Sequence, residues 1–244
     1  MKVLITGVTG LVGALLSKTL QASGHSVVGL SRNGPGARAR LPWLERAFSW
    51  DLMAGASPPE AFDGVDAVVH LAGESVAGRW TAPKRERIAE SRVTGTRNLV
   101  RGLEEALPRP KVLISTSALG YYGNRGDDVL TEAAGPGSDF LADVCVRWEE
   151  EAVRAEGFGI RVVRLRSGHV LSPKGGALGP LTMLTKWGLG GPLGSGHQWW
   201  PWVHLDDAVG LQVHTLENDI HGAVNAVSPE PVRQKEFAQA LGRV

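Results

Sequence analysis

The chain has 244 residues, enough for one sizeable hydrophobic core, and 43% of them are hydrophobic. Its 26 lysines and arginines nearly balance 25 aspartates and glutamates, so a formal charge of +1 gives no reason to expect nucleic acid or an acidic membrane as a partner. One cysteine, no signal-peptide pattern, no long apolar run and no metal-ligand spacing lead us to expect a cytoplasmic protein without disulfide, membrane segment or metal.

Short apolar runs predict buried strands of a parallel sheet over residues 3–5, 26–30, 65–71, 111–115 and 160–165. Helical spacing predicts helices over residues 11–20, 84–106, 140–156 and 234–244. Residues 31–40, with Asn33-Gly-Pro-Gly36 and three arginines, are predicted to be a loop. Because strands alternate with helices, we expect an α/β protein with a Rossmann-type, doubly wound parallel sheet.

The composition changes after about residue 171. Residues 172–196 contain eight glycines and three prolines, too many for a regular helix throughout, and lead into Trp199-Trp200-Pro-Trp202. These features predict a small, loop-rich C-terminal lobe. We expect residues 1–170 to form a nucleotide-binding domain and residues 171–244 a small substrate lobe, partly interleaved with the first domain.

Three glycines, Gly7, Gly10 and Gly13, follow the first predicted strand. Their spacing is one residue longer than the Gly-x-Gly-x-x-Gly fingerprint of dinucleotide-binding proteins. Between a strand and a helix, such glycines permit a tight turn and a close approach of the backbone to pyrophosphate, while the helix N-terminus attracts phosphate. The pattern predicts a dinucleotide site, with a purely structural glycine turn as the alternative.

The end of the second predicted strand bears on the choice of cofactor. An NAD site would place Asp or Glu there to accept hydrogen bonds from ribose hydroxyls, but this chain has Ser31 and Arg32. A cation without a carboxylate favours the 2′-phosphate of NADP, because an arginine can form a charge-assisted, bidentate contact with it. The alternative is an ordinary solvated arginine.

Two sets of motifs resemble known proteins. Thr6-Gly-x-x-Gly-x-x-Gly13, His70-Leu-Ala-Gly73, Gly95-Thr96 and Trp202-Val-His-Leu-Asp-Asp207 resemble the extended short-chain dehydrogenase/reductases, the nucleotide-sugar epimerase/dehydratase group. More specifically, Leu71-Ala-Gly-Glu74, Ser117-Ala-Leu-Gly-Tyr-Tyr-Gly123, Leu189-Gly-Gly-Pro-Leu-Gly-Ser-Gly-His197 and Pro229-Glu-Pro-Val232 resemble an atypical epimerase-like subfamily with a C-terminal domain of unknown function. The resemblance implies a Rossmann fold that binds NADP(H) at the glycine loop.

Together, the motifs and the resemblance imply a set of cofactor-binding residues. The set is Gly7, Thr9, Gly10, Leu11, Val12, Gly13, Ser31, Arg32, Asp51, Leu52, His70, Leu71, Ala72, Gly73, Glu74, Arg92, Ser115, Arg166 and Gly168. Two members have structural alternatives: His70 as a packed or capped histidine, and Arg92 as a solvated helix arginine.

The chain departs from the wider superfamily at its catalytic pair. The resemblance implies a Tyr-x-x-x-Lys pair on the helix after the fifth strand, in which lysine lowers the pKa of the tyrosine that exchanges a proton. Phe140 and Val144 stand roughly at those positions, and neither can transfer a proton. The usual acid/base chemistry is therefore not expected here.

The remaining hydroxyls follow the fifth predicted strand. Ser117 resembles the active-site serine of the superfamily, and the two tyrosines of the chain, Tyr121 and Tyr122, are adjacent. Strand carboxyl ends face the ligand crevice in doubly wound folds, so these three residues are the candidate catalytic groups. The alternative for the tyrosine pair is packing. Tyr121 also has Arg125 four residues on, but the intervening glycine argues against a helix that would align them.

The glycine- and tryptophan-rich lobe offers a candidate substrate surface of His197, Trp199 and Trp200, although tryptophans also fill cores. Residues 204–207 resemble a segment that positions the small lobe and are expected to be architectural. Family members usually continue beyond the helix over residues 234–244, so we expect the lobe to be abbreviated or part of it to be missing.

These observations predict an NADP(H)-binding oxidoreductase or nucleotide-sugar epimerase-like enzyme. Its partner would be a small molecule, either a nucleotide sugar or a carbonyl compound, and not nucleic acid or membrane. The alternative is a non-catalytic NADP(H)-binding regulator or interaction protein, which the loss of the tyrosine–lysine pair would suit.

Overall fold

The computed structural model describes residues 1–243, which form twelve strands and seven α-helices. The strands are β1 (Lys2–Thr6), β2 (Ser26–Ser31), β3 (Arg46–Ser49), β4 (Ala67–His70), β5 (Val112–Ala118), β6 (Arg161–Ser167), β7 (His169–Ser172), β8 (Gly175–Gly176), β9 (Trp199–Trp200), β10 (Trp202–His204), β11 (Gly222–Ala226) and β12 (Val232–Arg233). The helices are α1 (Leu11–Ala22), α2 (Gly34–Arg40), α3 (Ala82–Glu105), α4 (Phe140–Val153), α5 (Leu178–Lys186), α6 (Leu205–Glu217) and α7 (Gln234–Leu241).

A seven-stranded sheet lies at the centre, in the order β11-β6-β5-β4-β1-β2-β3, with every neighbouring pair parallel. Leu4 and its neighbours on one face pack with α3 and α4, whereas Ile5 and its neighbours on the other face pack with α1 and α6. Helices cover both faces, which explains why the strands are continuous apolar runs. The predicted Rossmann-type α/β fold is confirmed.

The direction of the strand order changes at β1, which lies between β2 and β4. Thr6 at the carboxyl end of β1 is in register with Leu30 on one side and His70 on the other. In doubly wound folds, ligands bind in the crevice outside the carboxyl ends at such a switch point. The predicted glycine turn begins there, directly after Thr6.

The prediction of a loop over residues 31–40 was wrong, because Gly34–Arg40 forms α2. The Asn33 side chain caps this helix by accepting a hydrogen bond from the Gly36 N–H at 2.9 Å, and Pro35 lies in the first turn, where its missing N–H has no cost. The glycines and proline that indicated a loop therefore mark a helix N-terminus. The short edge strand β3 was also not predicted.

The small lobe contains a three-stranded sheet, β10-β7-β8, and a two-stranded sheet, β12-β9, together with α5 and α7. The predicted C-terminal helix is α7, and Val244 lies outside the described residues. Between β10 and β12, which both belong to the lobe, the chain returns to the main sheet through α6 and β11. No helix within residues 1–243 is long and apolar enough to cross a membrane.

Candidate cofactor and substrate site

The turn between β1 and α1 requires glycine at two positions. Gly7 has a φ of +66°, and a Cβ there would lie 3.0 Å from the backbone of Ala72. A Cβ on Gly13 would lie 2.5 Å from the carbonyl oxygen of Gly7, so α1 packs closely on the turn. Gly10 is the N-cap and supplies no side chain, which leaves the first N–H groups of α1 free of a side-chain partner.

Thr6 and His70 join the ends of β1 and β4. The Thr6 hydroxyl oxygen accepts hydrogen bonds from the Leu71 and Ala72 N–H groups, both at 3.1 Å, and therefore donates its proton to His70 Nδ1 at 2.7 Å. His70 Nε2 then donates to the Thr96 hydroxyl at 3.0 Å. The His70 ring is fully buried, and burial lowers its pKa to about 4. The imidazole is thus a packed, neutral group that positions the backbone of residues 71–73.

Arg32 lies directly beyond the end of β2, is exposed, and forms no ion pair with another described residue. The next strand end, after β3, leads to Asp51, which is exposed, and Leu52, whose side chain packs on Gly95. The Asn98 amide donates to the Leu52 carbonyl at 2.8 Å. Gly95 thus allows residues 51 and 52 to lie against α3, beside the crevice.

Arg92 of α3 contacts Gly73 and Glu74 in the segment that follows β4. Its guanidinium donates to the Glu74 carbonyl at 3.0 Å and lies 5.2 Å over the Trp148 ring. Burial lowers the pKa of Arg92, and Gly73 lies alongside the guanidinium. Arg92 is therefore not a solvated helix arginine. The Glu74 side chain pairs with Lys84 at 2.6 Å.

A buried carboxylate organises the ends of β5 and β6. Glu149 of α4 accepts a hydrogen bond from the Ser117 hydroxyl at 2.7 Å. Arg166 donates to both of its oxygens at 2.9 Å, a bidentate ion pair with Arg166 3% exposed. Burial lowers the pKa of Arg166, but its hydrogen bonds to Glu149 and Tyr122 outweigh burial and raise the pKa overall. Ser115, which was also predicted to bind the cofactor, is buried on β5, the strand that carries Ser117.

The two tyrosines occupy different environments. Arg166 donates to the Tyr122 hydroxyl oxygen at 3.0 Å, and that hydroxyl donates to the side-chain amide oxygen Oδ1 of Asn225 at 2.7 Å. Tyr122 is 2% exposed, as packing would require. Tyr121 is half-buried, its ring lies 3.5 Å from the Arg166 guanidinium, and its hydroxyl has no hydrogen-bond partner among the described residues.

The residues predicted for substrate do not share one surface. Trp199 donates its indole N–H to Asp127 at 3.0 Å, and the Arg233 guanidinium lies 3.8 Å over its ring. Trp200, the next residue of β9, stacks instead on His169. The His197 side chain is exposed, while its carbonyl accepts from Arg233 at 2.6 Å. Gly168 approaches the Pro201 carbonyl, since a Cβ there would lie 2.8 Å from that oxygen.

Sequence reasoning missed Glu149 and Asn225. Glu149 lies on the buried face of α4 between Trp148 and Ala152, so a carboxylate in an apolar helix face was a signal that could have identified it. Asn225 had no such signal. Within residues 1–243, no group of three His, Cys, Asp or Glu side chains is arranged to hold a metal ion.

Comparison with known proteins identifies the family. The model of the NAD dependent epimerase/dehydratase family matches residues 3–226, most of the chain. This chain belongs to that family. It is 39% identical over 243 residues to the epimerase family protein Mb2239 of Mycobacterium bovis, covering 99% of this chain and 78% of that protein. It is 36% identical over 248 residues to human epimerase family protein SDR39U1, covering 99% and 80%.

Solved structures agree with this family membership. Human SDR39U1 (isoform 2) with NADPH has a TM-score of 0.86 and 35% identity, covering all of this chain and 79% of that chain. A nucleoside-diphosphate sugar epimerase from Corynebacterium glutamicum has a TM-score of 0.83 and 37% identity, covering 99% of this chain. This chain spans about half of the Corynebacterium protein, 49% of its length.

This epimerase/dehydratase family member carries Phe140 and Val144 on α4, where the resemblance implies tyrosine and lysine. Phe140 packs edge-on against Trp80 with ring centroids 6.0 Å apart, and Val144 is 1% exposed. Five residues after Phe140, burial and the Glu149 charge raise the pKa of the Cys145 thiol to about 11. None of these three side chains is suited to accept or donate a proton at neutral pH.

Proposed function

We propose that this protein is an NADP(H)-dependent oxidoreductase or epimerase-like enzyme that acts on a small molecule. The observation that carries the cofactor choice is Arg32, an exposed cation at the end of β2 that forms no ion pair within residues 1–243, at a place where an NAD site would have a carboxylate. The human relative was solved with NADPH, which supports this choice, whereas more distant structural neighbours were solved with NAD.

The described residues fit the cofactor. The uncapped N-terminus of α1 would receive the pyrophosphate, and the close backbone contacts at Gly7 and Gly13 would hold the turn that presents it. Ser31 and Arg32 would hold the 2′-phosphate, residues 51 and 52 would flank the adenine, and residues 71–73 would lie under the ribose and nicotinamide. When bound, the reduced nicotinamide supplies hydride.

The three candidate catalytic groups, Ser117, Tyr121 and Tyr122, receive different roles in this proposal. The Ser117 and Tyr122 hydroxyls are engaged by Glu149 and Asn225, so we assign them to positioning within the buried cluster. Tyr121 has the hydroxyl without a partner among described residues, and we propose that it exchanges the proton. Tyr121→Phe should then abolish turnover without weakening NADPH binding, whereas turnover that survives this change would favour another proton donor.

A non-catalytic role is the second candidate, because Phe140 and Val144 remove the usual acid/base pair. Tight NADPH binding with no hydride transfer to any compound in a panel of carbonyls and nucleotide sugars would favour a regulator. Distant neighbours were solved with UDP-glucuronic acid or UDP-glucose, and these two compounds belong in the panel.

Arg32→Ala tests the cofactor assignment. Loss of charge-assisted bonds to the 2′-phosphate should weaken NADPH binding by about 10-fold to 100-fold, since such bonds contribute roughly 1.5–3 kcal/mol. NADH binding should change little, because NADH lacks that phosphate. Isothermal titration calorimetry with both nucleotides would measure the two effects.

Arg101→Ala is the matched control, since Arg101 is an exposed arginine in the last turns of α3 and forms no ion pair with another residue of the described range 1–243. It should leave both affinities unchanged. Equal affinities of the unmodified protein for NADPH and NADH would contradict the assignment, as would equal losses in Arg32→Ala.

A further inference from the structure

The N-terminal half of α3 lies along the segment that follows β4. Thr81 caps the helix, and its hydroxyl accepts a hydrogen bond from the Lys84 N–H at 3.4 Å. Two residues of the helix, two turns apart, then contact Glu74. The Lys84 ammonium pairs with its carboxylate at 2.6 Å, and the Ser91 hydroxyl oxygen accepts from its N–H at 2.9 Å. The face of α3 that carries Lys84 and Ser91 is therefore turned toward residue 74.

Arg87 lies on this same face of α3. It follows Lys84 by three positions and precedes Ser91 by four, the spacings that bring helical side chains to one side. Farther along the same stripe, the Asn98 amide donates to the Leu52 carbonyl at 2.8 Å. Arg87 is thus directed toward the end of the crevice where the segments after β2 and β3 lie.

Arg32 reaches this end of the crevice from the other side of the glycine turn. The Gly7 N–H donates to the Leu30 carbonyl at 3.1 Å, so the turn is fixed to the end of β2. On its other side, a Cβ on Gly7 would lie 3.0 Å from the Ala72 backbone. Arg32 follows Leu30 by two residues, and Glu74 follows Ala72 by two. The turn therefore brings residues 32 and 74 close together across the crevice.

Three cations and two carboxylates surround this end of the crevice. The hydrogen bond from Lys84 holds the pKa of the Glu74 carboxyl below its usual range, and the charges of Arg87 and Arg32 lower it further. Both arginines are exposed, and neither forms an ion pair within residues 1–243. The second carboxylate, Asp51, is exposed and accepts a backbone N–H from residue 53. The ion pair of Lys84 with Glu74 leaves two arginines against one exposed carboxylate.

A phosphate monoester on the ribose would carry a charge of about −1.5 to −2 at pH 7. Arg32 alone balances part of this charge, and Lys84 is already paired with Glu74. A guanidinium binds phosphate through two parallel N–H···O bonds, so a second arginine on the opposite side can hold oxygens that the first leaves free. Arg87 lies on the side of α3 where this second contact is needed.

We propose that Arg87 is a second determinant of NADP(H) specificity and that it holds the 2′-phosphate together with Arg32, between the end of β2 and the first turns of α3. The inference rests on the proposed function, because it adds a residue to the same cofactor site. NADH lacks this phosphate, so Arg87 contributes to the binding of NADPH and not to that of NADH.

Isothermal titration calorimetry with NADPH and NADH tests the role of Arg87. Arg87→Ala should weaken NADPH binding about 10-fold, the effect of losing one charge-assisted hydrogen bond, and leave NADH binding unchanged. Arg87→Lys keeps the charge but loses the forked geometry, so it should recover part of the lost affinity. The double variant Arg32→Ala, Arg87→Ala should bind NADPH and NADH with nearly equal affinity. All variants should keep the melting temperature of the unmodified protein, because both side chains are exposed.

Arg85→Ala is the matched control, since it removes the same charge from the other side of α3, where the Arg85 guanidinium lies 5.6 Å from the centre of the Phe140 ring. It should leave NADPH affinity unchanged, because exposed charges without a direct contact are screened. Equal losses of NADPH affinity in Arg85→Ala and Arg87→Ala would overturn the proposal, as would an equal loss of NADH affinity in Arg87→Ala.

The Arg32→Ala variant separates this proposal from the proposed function. If Arg32→Ala weakens NADPH binding and Arg87→Ala does not, Arg87 is a solvated helix arginine, and the proposal for Arg87 is wrong while the cofactor assignment stands. Absence of NADPH binding by the unmodified protein would instead contradict the proposed function.

Discussion

His70 shows how one buried side chain couples folding to pH. Its ring is bonded by Thr6 and Thr96, and burial lowers its pKa to about 4 from an ordinary value of 6.5. In the unfolded chain the imidazole takes up a proton as the pH falls below about 6.5, but in the folded protein it does so only near pH 4. Folding stability contributed by the neutral ring is therefore present above pH 6.5 and is lost between pH 6.5 and 4.

The expected loss at His70 is about 3 kcal/mol of unfolding free energy at pH 4, from a shift between 6.5 and about 4. Urea unfolding at pH 7.5 and pH 5 would measure the part of this loss that occurs by pH 5, about 2 kcal/mol. His70→Asn removes the titration, so its stability should depend less on pH over this interval, although the variant is less stable at pH 7.5. A pH dependence equal to that of the unmodified protein would assign the effect to another group.

At the scale of elements, the β1–α1 turn depends on contacts that exclude a methyl group. Gly13→Ala would place a Cβ 2.5 Å from the Gly7 carbonyl oxygen and displace α1 from the turn. Such overpacking costs about 1–3 kcal/mol. Since the same displacement moves the α1 N-terminus, NADPH binding should also weaken. Thermal unfolding with and without NADPH measures the two effects.

Gly210→Ala provides the matched change in α6. A Cβ on Gly210 meets nothing within 4 Å, and alanine favours a helix interior over glycine by up to about 1 kcal/mol. This variant should be slightly more stable and should bind NADPH normally. If both glycine variants lost NADPH binding equally, the close contact at Gly13 would not be the cause.

At the scale of the whole molecule, one side-chain cluster links the segment between β5 and α4 to the small lobe. Asp127 accepts hydrogen bonds from Trp199 and from Arg233, and the bond from Arg233 lowers the pKa of Asp127 most. The same segment is tied to β11, where the Asn225 N–H donates to Glu132 at 2.8 Å. The segment thus spans the main sheet and the lobe.

Asp127→Asn removes the charge from this link while keeping an oxygen that can accept from Trp199. We expect faster hydrogen–deuterium exchange in residues 123–139 with little change in melting temperature, because the Asp127 carboxylate is exposed. Asp128→Asn is the control, since Asp128 is exposed and has only a 3.9 Å contact with Arg125. Equal exchange in both variants would show that the Asp127 link does not order the segment.

Local signals explain which features were predictable. The alternation of apolar runs predicted five of the seven sheet strands, and the glycine spacing predicted the turn whose contacts at Gly7 and Gly13 require glycine. The error at α2 arose because Asn33-Gly-Pro-Gly36 is compatible with both a loop and a capped helix N-terminus. The choice between a loop and a helix depends on Gly34, which is buried against the backbone of β3.

The sequence by itself determined the α/β class, the position of the glycine turn and the absence of Tyr-x-x-x-Lys, because each follows from residues close together in the chain. Only the tertiary structure decided the state of the candidate site residues. Tyr122 meets Asn225 across 103 positions, and Asp127 meets Arg233 across 106. Hydrogen bonds and ion pairs at such separations depend on how the sheet and the lobe pack. Local periodicity contains no information about that packing.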